Sequence, residues 1–218
     1  MAEARANTLR LGRRAWLQWW ALNSAWTLSA AAVSSAHAGA QLEEPLSESV
    51  RTALSAAIAG AAPPEPVLGS AAERQAYAQW LASCSAVLVR WLPQAAERQE
   101  FLQTLWYEAR RAGLSLSLVL GVVQSESAFR KYAISSAGAR GYMQVMPFWA
   151  RTIGDGDASK LFHLQTNLRF GCVILRYLLD RERGDVFMGL GRYNGSRGQA
   201  AYPQAVLQNQ RQWLQSVD

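Results

Sequence analysis

Apolar residues recur along most of this chain at spacings of three and four positions, with polar residues between them. Such spacing places the apolar side chains on one face of a helix, whereas a strand alternates every second residue. The sequence has no alternating stretch of convincing length and no internal repeat. The predicted helices cover residues 70–91, 94–111, 117–126, 166–181 and 202–215, and Asp185 caps a further helix. The pattern therefore predicts an all-α fold.

A change in composition near residue 70 indicates where the helical domain begins. Residues 70–73 read Ser-Ala-Ala-Glu, a capping box that satisfies free N–H groups at a helix start. The Pro-Pro-Glu-Pro run at 63–66 is typical of a linker. Within the N-terminal segment 39–69 we expect one short helix, over residues 48–59. Residues 70–218 are then long enough to build a single core.

The first 38 residues have the composition of an export signal. Four arginines begin it, residues 15–33 are largely apolar, and Ala-His-Ala at 36–38 supplies a small-residue cleavage site before Gly39. Polar residues interrupt the apolar stretch, which makes it a poor permanent membrane span. We expect a cleaved signal peptide, with an uncleaved anchor as the alternative. The Arg13-Arg14 pair leaves both the general and the twin-arginine export routes open.

Charge and residue counts narrow the candidate chemistry. The full chain has a net charge of +6, and removing residues 1–38 takes away four arginines and one glutamate, which leaves +3. This mild charge suits an anionic polymer but is not the clustered basic face that nucleic acids require. Histidine occurs at His37 and His163, so the processed chain has one imidazole and cannot build a multi-histidine metal site. We predict no metal, no cofactor and no nucleic-acid partner.

Two cysteines and two short arginine pairs have structural interpretations. Cys84 and Cys172 each lie in a helical apolar pattern, so they form either a disulfide or two buried free thiols, and both alternatives stay open. The arginine pairs, at 110–111 and at Arg181 and Arg183, are interpreted as solvated helix ends.

One acidic residue lies on an apolar helical face. Val119, Val122 and Val123 precede Glu126 by seven, four and three positions, so all four side chains share that face. A carboxyl group held against aliphatic side chains ionises reluctantly, which raises its pKa toward the range of a general acid. On this pattern alone, the alternative that Glu126 turns into solvent at the helix end is equally good.

Three separated motifs decide between these alternatives. Glu126-Ser127 is followed by Ser-Ser-Ala-Gly-Ala-Arg-Gly-Tyr-Met-Gln-Val-Met-Pro at 135–147 and by Gly-Arg-Tyr-Asn-Gly at 191–195. In this order they resemble the catalytic domain of the soluble lytic transglycosylases, which cleave the glycan strands of bacterial peptidoglycan. The resemblance covers about residues 102–213. It implies a lysozyme-like helical domain with a glycan-binding groove. The export signal in residues 1–38 predicts a periplasmic location.

The resemblance also implies a role for each matching residue. Glu126 takes the place of the single catalytic acid. Ser135 resembles the serine near the acetamido group of the reacting sugar, with Ser136 as the alternative hydroxyl. Tyr193 corresponds to the tyrosine that hydrogen-bonds near the acid. The implied substrate-binding residues are Ser127, Ser135, Tyr142, Gln144, Met146, Tyr193 and Asn194.

Two positions depart from the family's usual pattern. Tyr142 stands where leucine is commoner, and Gly191-Arg192 precedes Tyr193 where alanine is commoner. The shape and charge of the groove near Arg192 are therefore less defined by the resemblance than the acid is. Without Glu126, the Tyr193-Asn194 pair would be interpreted as an ordinary helix end, because Asn and Gly tolerate left-handed backbone.

The expected chemistry needs one acid. Cleavage of a β-1,4 glycosidic bond requires a proton on the leaving oxygen, and most glycosidases add a second carboxylate. No motif places a second acid, and the remaining candidates are expected to be exposed, namely Asp155, Asp157, Asp180 and Glu182. The resemblance implies that the N-acetyl group and C6 hydroxyl of the substrate replace it, giving a 1,6-anhydro-muramyl end. A hydrolytic goose-type muramidase and a non-catalytic wall-binding accessory of an envelope-spanning secretion machine are the alternatives.

Overall fold

The structure, a computed structural model, describes residues 41–59 and 68–217. Its secondary structure consists of helices joined by loops. Its helices are α1 (Glu48–Ala59), α2 (Ala71–Leu88), α3 (Ala95–Arg111), α4 (Leu116–Ser127), α5 (Pro147–Ile153), α6 (Leu164–Arg181), α7 (Val186–Asn194) and α8 (Ala201–Val217). A 3-10 turn, Ala158–Phe162, separates α5 from α6. Within these two ranges there is no β-strand, so the all-α prediction is confirmed.

Several helices begin where the sequence predicts. Ser70 Oγ accepts a hydrogen bond from Glu73 N at 3.1 Å, and the Glu73 carboxylate accepts one from Ser70 N at 3.1 Å, so the capping box is complete. Asp185 Oδ1 accepts from Met188 N at 3.0 Å and starts α7. Helix α1 has the predicted bounds. These starts are local features, and a local pattern is sufficient to define them.

Helix α5 and the 3-10 turn were not predicted. Helix α5 has seven residues and begins with Pro147, which suits the first helical position because its missing N–H is not needed there. Phe148, Trp149, Ala150 and Ile153 are buried. A helix this short is too brief for a periodic signal and depends on tertiary packing.

Helix α4 occupies the centre of the domain, and its packing against α8 defines the site. Nine of its twelve residues are buried. A Cβ on Gly121 would lie 2.9 Å from Val206 O and 3.0 Å from Gln210 N, both in α8, so only glycine permits this close approach. The approach places the start of α8 beside the end of α4, where Glu126 lies.

The N-terminal residues 41–59 lie against the helical domain. Helix α1 packs on α5 and α6, with Leu54 buried. Arg169 donates to Ile58 O at 3.2 Å, and Arg111 donates to Ala57 O, so two cations meet the carbonyl end of α1. Both arginines also pair with the carboxylate of Glu108, which is 1% exposed.

Arg111 and Arg181 are exposed, as the sequence suggested for these helix ends, but each also forms an ion pair that was not predicted. Arg111 pairs with Glu108, and Arg181 forms an ion pair with Glu44 of the N-terminal segment. The Glu44 partner of Arg181 is 137 positions away in the sequence, where no local pattern reveals it.

The signal peptide over 1–38 and the linker at 63–66 lie outside the described residues, and the domain boundary at residue 70 stays a prediction. Among residues 41–59 and 68–217, no helix is both long and apolar enough to cross a membrane. Cys84 and Cys172 are buried free thiols, and burial raises the pKa of Cys84 to about 12. Of the two alternatives for these cysteines, the structure therefore agrees with two buried free thiols and not with a disulfide.

Candidate active site

Glu126 lies in the last turn of α4 and is buried. Its side chain is 7% exposed, so the alternative in which it turns into solvent is wrong. Tyr202, in the first turn of α8, donates a hydrogen bond from its hydroxyl to Glu126 Oε1 at 2.5 Å. Burial raises the pKa of Glu126 to about 8, and the Tyr202 hydrogen bond partly opposes this shift. The carboxyl group is therefore mainly protonated at neutral pH.

Tyr202 is a site residue that the sequence analysis missed. From the sequence, Tyr202 was assigned only to the start of a helix, because it lies 76 positions from Glu126. Burial and the nearby Glu126 carboxylate raise its pKa well above the usual value for tyrosine, so its hydroxyl keeps its proton. A tyrosine hydroxyl that becomes buried generally finds a hydrogen-bond partner. The sequence does not show which partner Tyr202 has.

The motif loop after α4 is held by side-chain hydrogen bonds to four consecutive carbonyl groups, a set that we call the carbonyl frame. The four bonds are Asn167 Nδ2 to Arg140 O at 2.8 Å, Gln144 Nε2 to Gly141 O at 2.9 Å, Ser127 Oγ to Tyr142 O at 2.8 Å and Tyr193 OH to Met143 O at 2.8 Å. The donors come from α6, the loop itself, α4 and α7. The frame thus joins the three sequence motifs through the loop backbone.

Three predicted substrate-binding residues serve this frame. Ser127, Gln144 and Tyr193 are 1%, 3% and 0% exposed, respectively. The resemblance implied that Tyr193 hydrogen-bonds near the acid, yet its hydroxyl donates to Met143 O, and the bond to Glu126 comes from Tyr202. Burial, and to a smaller extent the Glu126 charge, raises the pKa of Tyr193 well above its usual value. Substrate contact by these residues stays a prediction.

The other predicted residues surround the frame. Ser135 Oγ accepts from Ala139 N at 3.1 Å and shapes the loop, whereas Ser136 is exposed. Tyr142 is 2% exposed, and its ring centroid lies 5.0 Å from that of Phe101.

Met146 and Asn194 lie at helix ends. Met146 is half-buried at the N-cap of α5. Asn194 is the last residue of α7, and it accepts a hydrogen bond from Ser196 Oγ at 2.9 Å. Gly195 follows with φ of 81°, the left-handed backbone that glycine tolerates.

The loop backbone is strained beside these residues. Gln144 has φ of 49°, which is uncommon for a residue that is not glycine. Its Nε2 donates to Ala133 O at 3.1 Å as well as to Gly141 O, and these two bonds hold it in place. Strained backbone is concentrated at active sites and ligand-binding sites, which agrees with a functional role for this loop.

The other carboxylates that the sequence offered do not form a second acid beside Glu126. Asp155 and Asp157 are exposed, as expected. The expectation of an exposed Glu182 is wrong, because its side chain is 8% exposed between Arg192 and Arg197. Hydrogen bonds from these arginines lower the pKa of Glu182 to about 2, so it stays ionised. In the described ranges, no three His, Cys, Asp or Glu residues form a group that could hold a metal ion.

Comparison with known proteins matches the region that contains this site. Residues 104–215, about half of the chain, match the Transglycosylase SLT domain family. The chain belongs to this family. The match spans Glu126, the carbonyl frame and Tyr202, and it confirms the resemblance and the lysozyme-like helical class.

Named relatives of the SLT domain agree with this assignment over part of their length. A protein of Enterobacteria phage PRD1 called transglycosylase is 34% identical over 117 residues, which cover 50% of this chain and 43% of that protein. A membrane-bound lytic murein transglycosylase C of Histophilus somni is 40% identical over 95 residues, which cover 40% of this chain and 26% of that protein. The chain therefore spans less than half of the length of these relatives.

One solved structure is also similar. It is an inactive mutant of the lytic transglycosylase Slt from Pseudomonas aeruginosa, 24% identical, and the match covers 66% of this chain and 28% of that one with a TM-score of 0.42.

Proposed function

We propose that this SLT-domain protein is a peptidoglycan lytic transglycosylase. It cleaves the β-1,4 bond between N-acetylmuramic acid and N-acetylglucosamine and leaves a 1,6-anhydro-muramyl end. The observation that carries the proposal is Glu126, a buried carboxyl group whose pKa is raised to about 8. The family match and the named relatives support the substrate class.

The proposed reaction uses Glu126 first as an acid and then as a base. Its proton passes to the glycosidic oxygen as the bond between the muramic acid C1 and that oxygen breaks. The C6 hydroxyl of the same muramic acid then attacks C1 and returns its proton to Glu126. The N-acetyl group of the substrate stabilises the positive charge at C1 between these steps. Water is neither added nor released.

The surroundings of Glu126 support a single-acid reaction. An inverting or retaining glycosidase holds a second carboxylate opposite the acid to activate water or to attack C1. Among the described residues, Glu108 is buried and the Glu182 side chain is 8% exposed, and each carboxylate is paired with two arginines. A carboxylate so paired is a weak base and a weak nucleophile.

The test is the Glu126→Gln variant with peptidoglycan sacculi as substrate. The substitution keeps the shape and removes the transferable proton, so we expect turnover to fall about a hundred- to ten-thousand-fold while glycan binding persists. Wild-type products should be about 18 mass units, one water, lighter than hydrolysis products. Glu100→Gln, an exposed acid in α3, is the matched control and should keep full activity.

Mass spectrometry of the released muropeptides separates the alternatives. Anhydro ends from the wild type and none from Glu126→Gln support the proposal. Reducing ends would indicate a hydrolytic muramidase. Glycan binding without any product would indicate a wall-binding accessory, and equal activity in the variant would exclude Glu126 as the acid.

The cellular location belongs to the same proposal. A murein substrate lies outside the cytoplasmic membrane, and residues 1–38 have the composition of an export signal. We therefore place the processed protein in the periplasm, with peptidoglycan strands as its partner.

A further inference from the structure

Residues 41–47, which we call the strap, precede α1, belong to no helix or strand, and reach the motif loop of the candidate active site. Gln41 is 5% exposed, and its Oε1 accepts a hydrogen bond from Met146 N at 3.3 Å. The strap thus contacts the motif loop that carries part of the family resemblance.

The strap is held at a second point by two ion pairs. Glu44 Oε1 lies 3.0 Å from Arg192 Nη1, and the other carboxylate oxygen pairs with Arg181. These interactions lower the pKa of Glu44, so it is ionised at neutral pH. Because the Glu44 side chain is 35% exposed, such pairs add little stability and can be exchanged for another carboxylate.

The charges around Glu44 are unbalanced without it. Arg192 and Arg197 share the single carboxylate of Glu182. Among the residues that the structure describes, Arg181 pairs with no carboxylate other than that of Glu44. Removing Glu44 therefore leaves three guanidinium groups facing one carboxylate, a site suited to an incoming anion.

A cavity of about 120 Å³ lies between the strap and the domain, and its polar lining consists largely of donors. Trp149 and Gln41 line it together with Arg181 and Arg192. Trp149 Nε1 and Gln41 Nε2 are buried N–H donors, and neither has an acceptor within the described ranges. Buried donors without acceptors cost about 1–3 kcal/mol each, so the cavity suits a ligand that supplies acceptor oxygens.

We propose that Arg181 and Arg192 form a subsite for a carboxylate of the peptide stems of peptidoglycan, and that the strap closes this subsite in the free protein with Glu44 in the place of the ligand carboxylate. The inference rests on the proposed function, because it takes the substrate to be a peptide-bearing glycan strand. Opening needs only the exposed ion pairs and the Gln41 contact to break, since α1 remains docked through Arg111 and Arg169.

The proposal predicts how the charge of Glu44 affects ligand affinity. For a ligand that binds only the open form, the apparent Kd equals the intrinsic Kd divided by the fraction of protein that is open. A closed strap therefore weakens binding. Removing the Glu44 charge should open the strap and leave both arginines free. Glu43→Gln is the matched control, because Glu43 is the exposed neighbour and its substitution removes the same charge.

Binding is measured by calorimetry in the Glu126→Gln chain, which avoids turnover. The probes are a muropeptide tetrasaccharide with tetrapeptide stems and uncharged chitotetraose. Glu44→Gln should bind the muropeptide about tenfold more tightly and chitotetraose as before. Glu43→Gln should change neither. Arg181→Gln should weaken muropeptide binding alone.

Contrary outcomes are clear. Unchanged or weaker muropeptide binding in Glu44→Gln overturns the proposal, and an equal gain for both probes overturns the carboxylate assignment. If no variant binds the muropeptide while the wild type still forms anhydro ends, the subsite fails and the proposed function stands. If the wild type forms no anhydro ends but the affinities behave as expected, the proposed chemistry fails and the subsite stands.

A second measurement follows the strap itself. Leu42 is 64% exposed, whereas Cys84 and Cys172 are both fully buried, so a nitroxide on Leu42→Cys labels the strap selectively. Its mobility should rise when the muropeptide is added to the Glu126→Gln chain, and it should not respond to chitotetraose. A label that stays immobile with bound muropeptide overturns strap opening.

Discussion

Glu126 combines two properties that separately are ordinary. It is buried among aliphatic side chains of α4, which favours its protonated form, and it accepts a hydrogen bond from Tyr202. Burial keeps the carboxyl group protonated at neutral pH, so that it can act as an acid. The hydrogen bond from Tyr202 fixes the position of Glu126 Oε1. The acid is therefore both protonated and oriented before a substrate arrives.

The raised pKa predicts the pH dependence of catalysis. Glu126 must carry its proton to act as the acid, so kcat/KM should fall as the pH rises through about 8. An ordinary carboxyl group would instead lose its proton near pH 4.3. Initial rates on soluble glycan strands between about pH 3 and pH 10, with a fold check at each pH, test this. A decline centred near pH 4 to 5 would contradict the assignment.

Tyr202→Phe should impair the acid without removing it. The variant loses the hydroxyl that orients Glu126 Oε1, and one positioning hydrogen bond corresponds to a rate loss of about tenfold. Because this bond lowers the pKa of Glu126, its loss should also move the alkaline decline to higher pH. Rate and pH profile are measured together, since a purely structural role changes only the first.

Tyr77→Phe is the matched control for Tyr202→Phe. The Tyr77 hydroxyl is buried without a hydrogen-bond partner in the part of the chain that the structure describes. Its removal should leave both the rate and the pH profile unchanged. An equal effect of the two substitutions would show that Tyr202 acts through general packing.

The two residues also show how far a sequence carries the site. Glu126 could be found because its apolar neighbours are three, four and seven positions away, a spacing visible along one helix. Tyr202 meets it only because Gly121 lets α8 approach α4, and no local pattern contains that information. Contacts between distant elements follow from packing, which the sequence does not display.

The motif loop shows the same limit for a larger element. The family resemblance implied substrate contacts for Ser127, Gln144 and Tyr193. In the structure, their side chains donate hydrogen bonds to carbonyl groups of the loop. Buried backbone carbonyls need partners, and an irregular loop obtains them from side chains. A motif residue can therefore be required for the shape of a site as well as for contact with the ligand.

Asn167→Ala should loosen this loop. Asn167 donates to Arg140 O and Leu161 O and accepts from Met143 N, all within 2.8 Å. Losing three bonds at a side chain that is 1% exposed leaves buried backbone groups unpaired, so we expect the free energy of unfolding to fall by about 2–4 kcal/mol. Urea unfolding measures the change.

Gln165→Ala provides the control for Asn167→Ala, because Gln165 is exposed in the same helical turn. It should change the free energy of unfolding by less than about 0.5 kcal/mol. Similar losses in both variants would mean that helix α6, and not the loop, is the sensitive element.

Across the molecule, the helices were easier to predict than their arrangement. Capping residues and apolar periodicity located α1, α3 and α4 to within one residue and also the starts of α2 and α7, while the end of α2 lies three residues before the predicted one and the seven-residue α5 was missed. The polar contacts that attach residues 41–59 to the domain join positions that are 54 to 148 residues apart, as for Arg111 with Ala57 and Arg192 with Glu44. Periodicity reports which face of a helix is buried but not what covers it.

Export processing is the last prediction, and it concerns the start of the working protein. Cleavage after Ala38 would leave Gly39 and Ala40 ahead of Gln41, whose side chain is buried against Met146. The processed chain would then keep the whole strap. We expect N-terminal sequencing of protein from the envelope fraction to begin at Gly39.

Ala36→Asp tests the assigned cleavage site, because a charged residue replaces one of its two small residues. The variant should accumulate as the longer precursor, whereas Leu42→Asp, beyond the site, should be processed normally. Wild-type protein that retains Met1 would instead support the membrane anchor.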